Sequence, residues 1–413
     1  MKAKFSNFIV LDIGSSKIIG IAAHLDKKGE VRILSQIVNS SEGIKSGIIT
    51  DLRAAENSII NTIYALEKEC DRSIKQVAIS LSGAGTKSYY LTHKIKLSNQ
   101  PIRKEDLKRL IQKAIEEFKI KDQEIIHYFP VEYIVDGNNH ISNPTGIIAK
   151  EISCQLHVVS VNSGLMTNLI NCLSKYQLEI TSVTLAVYAS GMSCLNKDEK
   201  ELGAIIIDAG AKTTTLGVFF AGKLIYTSNI LIGSSHITAD IAKLFSLSIS
   251  SAEKLKVLYG NAMFGVDRDY PINLEDFENN NDIYNSNSVI TTDHLNRIIH
   301  YRFEEILSLI KEQYDKAGID HLIAKRLVIT GGGAMLKGTK ELAGKIFDKQ
   351  VRIAKPIVLD GFAEGYNPAT YSTAVGIIKN QAERQQKNSS TIDVVDVDSS
   401  WIKKTLSWLK QNV

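Results

Sequence analysis

The chain is predicted to be an α/β protein made of two similar lobes facing one cleft, and three stretches carry that prediction. Near the N-terminus, FIVLDIGSSKIIGIAA reads as an apolar strand, Asp12, a Gly14-Ser15-Ser16-Lys17 loop and a second apolar strand. The same order returns in AIIIDAGAKTTTLGVFF, where Asp208 ends the first run and Gly210 lies in the loop before the second. Two β-rich runs joined by a tight glycine-bearing loop read as a hairpin. The third stretch, RLVITGGGAMLKG, is a strand that stops in three glycines. An acidic residue at a strand tip beside such a loop can hold a hydrated Mg²⁺, while the loop's N–H groups face phosphate. A unit used twice places one such loop on each side of a shared cleft.

At 413 residues the chain is long for a single core, so several subdomains are expected. A composition of 44% hydrophobic and 23% charged residues is that of an ordinary soluble globular protein. The net charge of +4 is too small to argue for nucleic-acid binding. Cys70, Cys154, Cys172 and Cys194 form no C-x-x-C pair and have no His at zinc spacing, so they read as buried, reduced thiols. Asp12 interrupts the N-terminal apolar run, which argues against a signal peptide. No stretch approaches the roughly 18 apolar residues that span a bilayer.

Residues 1–82 hold the first part of the first lobe. VRILSQIVNS continues the hairpin as a strand, and EGIKSGIITD reads as a turn with a second short strand. A helix over 52–70 follows, with Ala55, Ile59, Ile60, Ile63 and Leu66 on one face and Asp51 as N-cap. QVAISLSG then closes a β-β-β-α-β unit. Residues 83–160 change character: strand-like pieces surround one helix striped by Leu107, Leu110, Ile111, Ala114, Ile115 and Phe118, an inserted α+β subdomain. The first lobe resumes over 161–200. The second lobe occupies 201–232 and 301–366 around a small subdomain at 233–300, and a helix over 367–380 returns to the first lobe. In the small subdomain Glu253 and Lys256 stand one helical turn apart, within reach of a common ligand, although such a pair is equally at home on a solvated face. The polar, Asn-rich stretch 267–288 reads as loops and short strands. Gly331, Gly332 and Gly333 let the backbone approach a nucleoside, and the N-terminus of the helix expected to follow adds N–H dipoles.

Residues 381–400 are polar and read as a flexible linker. The last thirteen, 401–413, read as an amphipathic helix. Ile402, Leu406, Leu409 and Val413 share one face, Trp401 and Trp408 flank it, and Lys403, Lys404 and Lys410 lie towards the others. This pattern describes a helix lying in a bilayer interface. A helix packed on the body or on a partner is the alternative, and a docked helix would not need the linker. One helix this short binds weakly, so stable attachment needs several copies together.

Over nearly its whole length the chain resembles the FtsA family of bacterial cell-division proteins, members of the actin-like ATPase superfamily. The segments that carry the resemblance are VLDIGSSKI, the insert's IIHYFPVEYIVDG with NPTGI and LHVVSV, then IGSSHITADIA, AEKLKVLYG and VITGGGAMLKG, with the amphipathic helix after its linker. The resemblance implies an actin-like two-lobed fold with an inserted α+β subdomain, and ATP and Mg²⁺ as cofactors. It places Gly14, Ser15, Ser16 and Lys17 on the first phosphate loop, Gly210, Thr213 and Thr214 on the second, and Asp12 and Asp208 beside the metal through water. It sets Glu253 and Lys256 against ribose and adenine, and Gly331, Gly332, Gly333 and Met335 around the nucleoside. The implied partners are the C-terminal peptide of the tubulin-like FtsZ (near Arg297 or Arg302), further copies of the chain in an actin-like filament, and later division proteins through the insert. The implied location is the cytoplasmic face of the cytoplasmic membrane at the septum, as a peripheral protein.

Departures from the family pattern bear on turnover. The family's second loop usually reads D-x-G-G-G-T-T-D, whereas here Ala211 and Lys212 replace two glycines and Thr215 replaces the last acid. The added Cβ atoms crowd the place where backbone should approach phosphate. Lys212 either pairs with phosphate or points to solvent. Ala186 stands where chaperone relatives carry a water-positioning Glu. The expectation is therefore a nucleotide-binding switch and scaffold with slow or negligible hydrolysis, not a working enzyme. Three rival readings each lack a part. A PilM-type pilus-assembly protein would not need the terminal helix, a sugar-kinase-type phosphotransferase needs an acidic base in the cleft, and a chaperone-like ATPase needs a large substrate domain.

Overall fold

In the computed structural model, which describes residues 6–266, 268–277, 289–362, 368–386 and 395–396, β1 (Ser6–Ile13) folds back on β2 (Lys17–Leu25) and β3 (Val31–Ser40) as an antiparallel meander. A small hairpin, β4 (Ile44–Lys45) and β5 (Ile48–Ile49), leads to α1 (Leu52–Cys70) and to β6 (Gln76–Leu81), which pairs parallel to β1. Asp51 caps α1 by accepting from the Ala54 N–H at 3.1 Å. Ile59, Ile63 and Leu66 of its inner face are fully buried, each such side chain stabilising the fold by roughly 1.5–3 kcal/mol. The insert is β7 (Thr86–Pro101), α2 (Lys104–Glu117), β8 (Gln123–Val135), β9 (Asn138–Ile141) and β10 (Ile148–Asn162). The first lobe continues with α3 (Ser163–Ser174), β11 (Glu179–Leu185) and α4 (Ala186–Cys194), and α5 (Lys197–Leu202) crosses to the second.

The second lobe repeats the plan. Its strands β12 (Ala204–Ala209), β13 (Thr214–Phe220) and β14 (Lys223–Ile230) form a meander. After α6 (Ser234–Phe245), α7 (Ile249–Tyr259), the short pair β15 (Pro271–Asn273) and β16 (Val289–Thr291), and α8 (Thr292–Lys316), strand β17 (Arg326–Thr330) pairs parallel to β12. Then α9 (Thr339–Phe347) and β18 (Gln350–Ile353) complete the sheet, α10 (Ser372–Gln386) returns to the first lobe and β19 (Val395–Asp396) follows. The sheets run β3-β2-β1-β6-β11 and β14-β13-β12-β17-β18, one order used twice. In each, an aspartate ends the central strand that joins the antiparallel half to the parallel half.

Helices α4 and α10 lie between the two sheets. Val375, Ile377 and Ile378 of α10 pack on the first sheet with Val10, Ile19 and Ile21, while Val187, Tyr188 and Met192 of α4 share a core with Ile206 and Phe219 of the second. The insert makes its own core, with Leu107, Leu110, Ile111 and Ala114 of α2 against Ile152, Leu156 and Val158. It also touches the second lobe. Tyr90 donates from its hydroxyl to the Ile225 carbonyl at 2.6 Å, and buried His157 donates from Nδ1 to the Leu224 carbonyl at 2.8 Å. Burial pushes the His157 ring down to about 4, so it sits neutral in this joint.

Two sequence expectations change here. The sequence pattern starts the linker at 381, yet α10 runs on to Gln386 because its polar-looking end has a packed side: Ala382 is buried and Gln381 donates to Ser182 on β11. Within the same stretch, β19 pairs antiparallel with His127 and Tyr128 of β8. The rest of the linker, the amphipathic helix over 401–413 and most of the stretch 267–288 lie outside the described residues.

Candidate nucleotide site

The duplicated hairpins make two equivalent turns. In the first, the Gly14 N–H donates to the Lys17 carbonyl at 3.1 Å; in the second, the Gly210 N–H donates to the Thr213 carbonyl at 2.9 Å. Asp12 stands opposite Ile19 and Asp208 opposite Thr215, the same register in both lobes. A Cβ on Gly14 or on Gly210 would lie 2.8 Å from the carbonyl oxygen its own N–H bonds, so both turns require glycine. The hairpin β4–β5 closes against both loops. The Gly47 N–H donates to Ser15 Oγ at 3.2 Å, and Ser46 Oγ donates to the Lys212 carbonyl at 3.0 Å. On the other side the N-terminus of α6 holds the second loop: the Ser234 and Ser235 N–H groups donate to the Gly210 and Ala211 carbonyls at 3.0 and 2.8 Å.

The two carboxylates are near enough for the charge of one to act on the other. Ser80 Oγ donates to Asp12 Oδ1 at 2.7 Å and accepts from the Ile13 N–H at 2.9 Å. Burial pushes Asp12 up to about 6; the Ser80 bond opposes this, the charge of Asp208 adds to it, and Lys17 opposes it. Burial likewise raises Asp208, against the hydrogen bonds from Ser190 and Thr373. Lys17 is pushed down by its own burial and held up in part by Asp12. Two half-buried carboxylates that repel one another form the kind of donor set a cation stabilises. Among the described residues no cluster of three or more His, Cys, Asp or Glu makes an all-protein metal cage. Two carboxylates are the protein share that a Mg²⁺ completed by water and phosphate oxygens takes, and this pair fits that role.

The glycine run forms the third wall. Gly331 has φ of +87°, and a Cβ there would lie 2.5 Å from Asp208 Oδ1 and 2.7 Å from the Ala209 carbonyl oxygen. A Cβ on Gly333 would lie 3.0 Å from that same oxygen, whereas one on Gly332 would meet only Thr370, at 3.8 Å. The helix expected directly after these glycines is a single 3₁₀ turn, Gly332–Met335, and α9 starts only at Thr339. Leu336 leaves the turn in extended conformation, so the N–H dipoles of α9 sit further along the chain. Met335 ends the turn 41% exposed.

Glu253 and Lys256 do lie together. Lys256 Nζ is 2.6 Å from Glu253 Oε2 and 2.8 Å from Thr238 Oγ1 of α6, so in this structure the pair binds itself and a hydroxyl that the sequence reading missed. Thr214 is the first residue of β13, buried, and its hydroxyl donates to the Ile232 carbonyl at 2.9 Å, which ties the second loop to the chain beyond β14. Other contributors also escaped the sequence reading: Ser80, Ser190, Thr373 and Gly233, whose Cβ would lie 2.5 Å from the Gly210 carbonyl oxygen.

Arg297 and Arg302 stand apart from the cleft, on α8, where they line one groove of about 590 Å³ with Lys243, Leu244, Ile298 and Tyr301. Arg297 Nε donates to Asp293 Oδ2 at 2.7 Å with its guanidinium over the Phe264 ring, and Arg302 pairs with Asp240 and Glu305.

Comparison with known proteins now separates fold from family. Among solved structures, the PilM–PilN type IV pilus biogenesis complex aligns with a TM-score of 0.64 at 13% identity, covering 92% of this chain and 98% of that one. MreB5 of Spiroplasma citri bound to ADP aligns at 0.54 and 13%, covering 93% and 99%. At such identities the likeness shows the actin-like fold alone. The family model for cell division protein FtsA matches residues 205–376, and the model for the SHS2 domain inserted in FtsA matches residues 83–160. Cell division protein FtsA of Agrobacterium fabrum is 32% identical over 395 residues, covering 92% of this chain and 88% of that one. The FtsA of Borreliella burgdorferi is 30% identical (92% and 92%), and that of Escherichia coli K12 is 26% identical (97% and 97%). The chain belongs to the FtsA family of cell-division proteins.

Proposed function

We propose that the chain is an ATP-binding division adaptor: it holds Mg·ATP between its lobes, assembles with its own copies, and tethers FtsZ filaments to the cytoplasmic face of the membrane at the septum. The observation that carries the nucleotide part is the convergence of two symmetric Asp–Gly turns and the Gly331 turn on one half-buried pair of carboxylates. The structures of Spiroplasma citri MreB5 bound to ADP and to AMPPNP support it. Bound Mg²⁺ would neutralise phosphate charge. Asp12 and Asp208 would hold the ion through water, the Gly14–Lys17 and Gly210–Thr213 turns would line the phosphates, and Glu253 and Lys256 would meet the nucleoside. ATP here serves assembly and conformation. Ala186 at the head of α4 offers no side chain to orient an attacking water, so steady-state turnover measured by phosphate release is expected below about 1 s⁻¹.

The groove on α8 suits an acidic and apolar peptide such as the C-terminal segment of FtsZ: its arginines already face acids, and Leu244, Ile298 and Tyr301 lie beside them. Replacing Arg302 with alanine is expected to weaken that peptide's binding roughly tenfold, the scale of one charge-assisted contact, as read by fluorescence anisotropy. The insert is the surface proposed for self-association and for later division proteins. The membrane part rests on the sequence of 401–413. Flotation of FtsZ polymers on anionic liposomes with ATP tests the whole reading. FtsZ should float with the full chain and stay behind with a chain ending at Ser399. Flotation that survives the truncation would remove the terminal helix from its anchoring role.

A further inference from the structure

The two lobes treat their equivalent aspartates differently. In the first lobe the neighbouring parallel strand supplies the hydroxyl: Asp12 on β1 stands beside Ser80 on β6, and Ser80 Oγ donates to it at 2.7 Å. The equivalent position in the second lobe is Thr330 on β17, opposite Asp208. Thr330 is turned away. Its hydroxyl bonds the Ala354 carbonyl at 3.1 Å and Ser372 Oγ at 2.6 Å. Asp208 is held instead from the two helices that lie between the sheets. Ser190 Oγ of α4 donates to Asp208 Oδ2 at 2.7 Å, Thr373 Oγ1 of α10 donates to the same oxygen at 3.2 Å, and the two hydroxyls lie 3.0 Å apart. Both land on Oδ2, and Oδ1 is left on the side of Gly331, within 2.5 Å of where a Cβ would stand. Ser190 and Thr373 sit on the two helices that form the joint between the sheets, and Ser190 is fully buried.

We propose that Ser190 and Thr373 are positioning residues: hydroxyls on the two helices between the sheets that anchor one oxygen of the second-lobe Asp208 so that the other serves the cleft cation. The metal-dependent part of nucleotide affinity then runs through the helical joint between the sheets. This inference rests on the Mg·ATP reading above. A buried carboxylate without its donor turns or recruits water, and a lost hydrogen bond to a charged group weakens whatever depended on its orientation.

The test is equilibrium binding of a fluorescent ATP analogue to the full chain, once with Mg²⁺ and once with EDTA. In Ser190→Ala the Mg²⁺ affinity should fall about tenfold while the EDTA affinity stays at the wild-type value. Ser190→Thr, which keeps a hydroxyl, should restore it. Thr373→Val should give a smaller loss of the same kind, following its longer bond, and it carries the test should Ser190→Ala fail to fold. Equal losses with and without Mg²⁺, or no loss in either alanine or valine variant, would overturn the positioning role while leaving the nucleotide reading in place. A wild-type chain that binds the analogue under neither condition would overturn both.

Discussion

Gly376→Ala should destabilise the protein by about 3 kcal/mol or more, the upper range for overpacking a tight core. The methyl group has nowhere to go. Gly376 lies in α10 where it crosses α4, and a Cβ there would stand 1.8 Å from the carbonyl oxygen of Ala189, 2.3 Å from its carbon and 2.8 Å from its Cα. Those are backbone atoms of a buried helix, so no rotamer change relieves the clash and the two helices must separate. Separation loosens both sheets together, since α10 packs on the first and α4 on the second. Gly344→Ala is the control. It is also a helical glycine, in α9, but its nearest neighbours would be the Lys349 carbonyl oxygen and Val351 Cγ2, both at 3.8 Å. That change should be neutral or stabilise by up to roughly 1 kcal/mol through helix propensity. Thermal melts of the two variants decide the matter, and a Gly376→Ala protein melting with the wild type would mean the crossing is not as tight as described.

What made so much of this architecture readable was repetition. The strand–Asp–x–Gly–strand pattern occurs twice, and the sheets prove to share one strand order around those aspartates. Helix α1 was readable because its apolar residues recur at helical spacing and Asp51 has the side chain of a cap. The parts that could not be read are those in which a side chain's partner is remote in sequence. Nothing around Ser190 announces that its hydroxyl meets Asp208, and Thr373 reaches the same oxygen from 165 residues away. Thr214 lies in the second loop's segment but begins β13, with its hydroxyl on the Ile232 carbonyl, and the loop pattern alone does not say which residue begins the strand. The end of α10 was hidden by composition: Gln381 to Gln386 is polar, yet a helix needs only one packed side to continue.

Asp12→Asn should raise the stability of the ligand-free protein at pH 7.5 while weakening its Mg²⁺-dependent ATP affinity. The carboxyl is half-buried, with one hydroxyl donor and an opposing carboxylate, and desolvation pushes it from 3.8 up to about 6. The sign follows from proton linkage. Below the unfolded value both states hold the proton and the group costs nothing. Between about 4 and 6 the unfolded chain has already ionised while the folded protein has not, so stability falls as pH rises, and above about 6 the full cost is present. At about 1.4 kcal/mol per pH unit the cost is of the order of 3 kcal/mol. An asparagine can accept the Ser80 hydroxyl through its own Oδ1, so it removes the charge and keeps that bond, although its amide N–H₂ then needs partners. The net gain expected is therefore about 1–3 kcal/mol at pH 7.5, shrinking to nothing near pH 4. Denaturant melts across that range read it directly. A variant that is less stable at pH 7.5, or whose advantage ignores pH, would show that Asp12 is not strained by burial. The same charge is what a cation in the cleft would relieve, so in the wild type Mg·ATP should recover stability that the asparagine variant has already gained and cannot gain again. A site that costs the empty protein in this way makes folding stability report on occupancy.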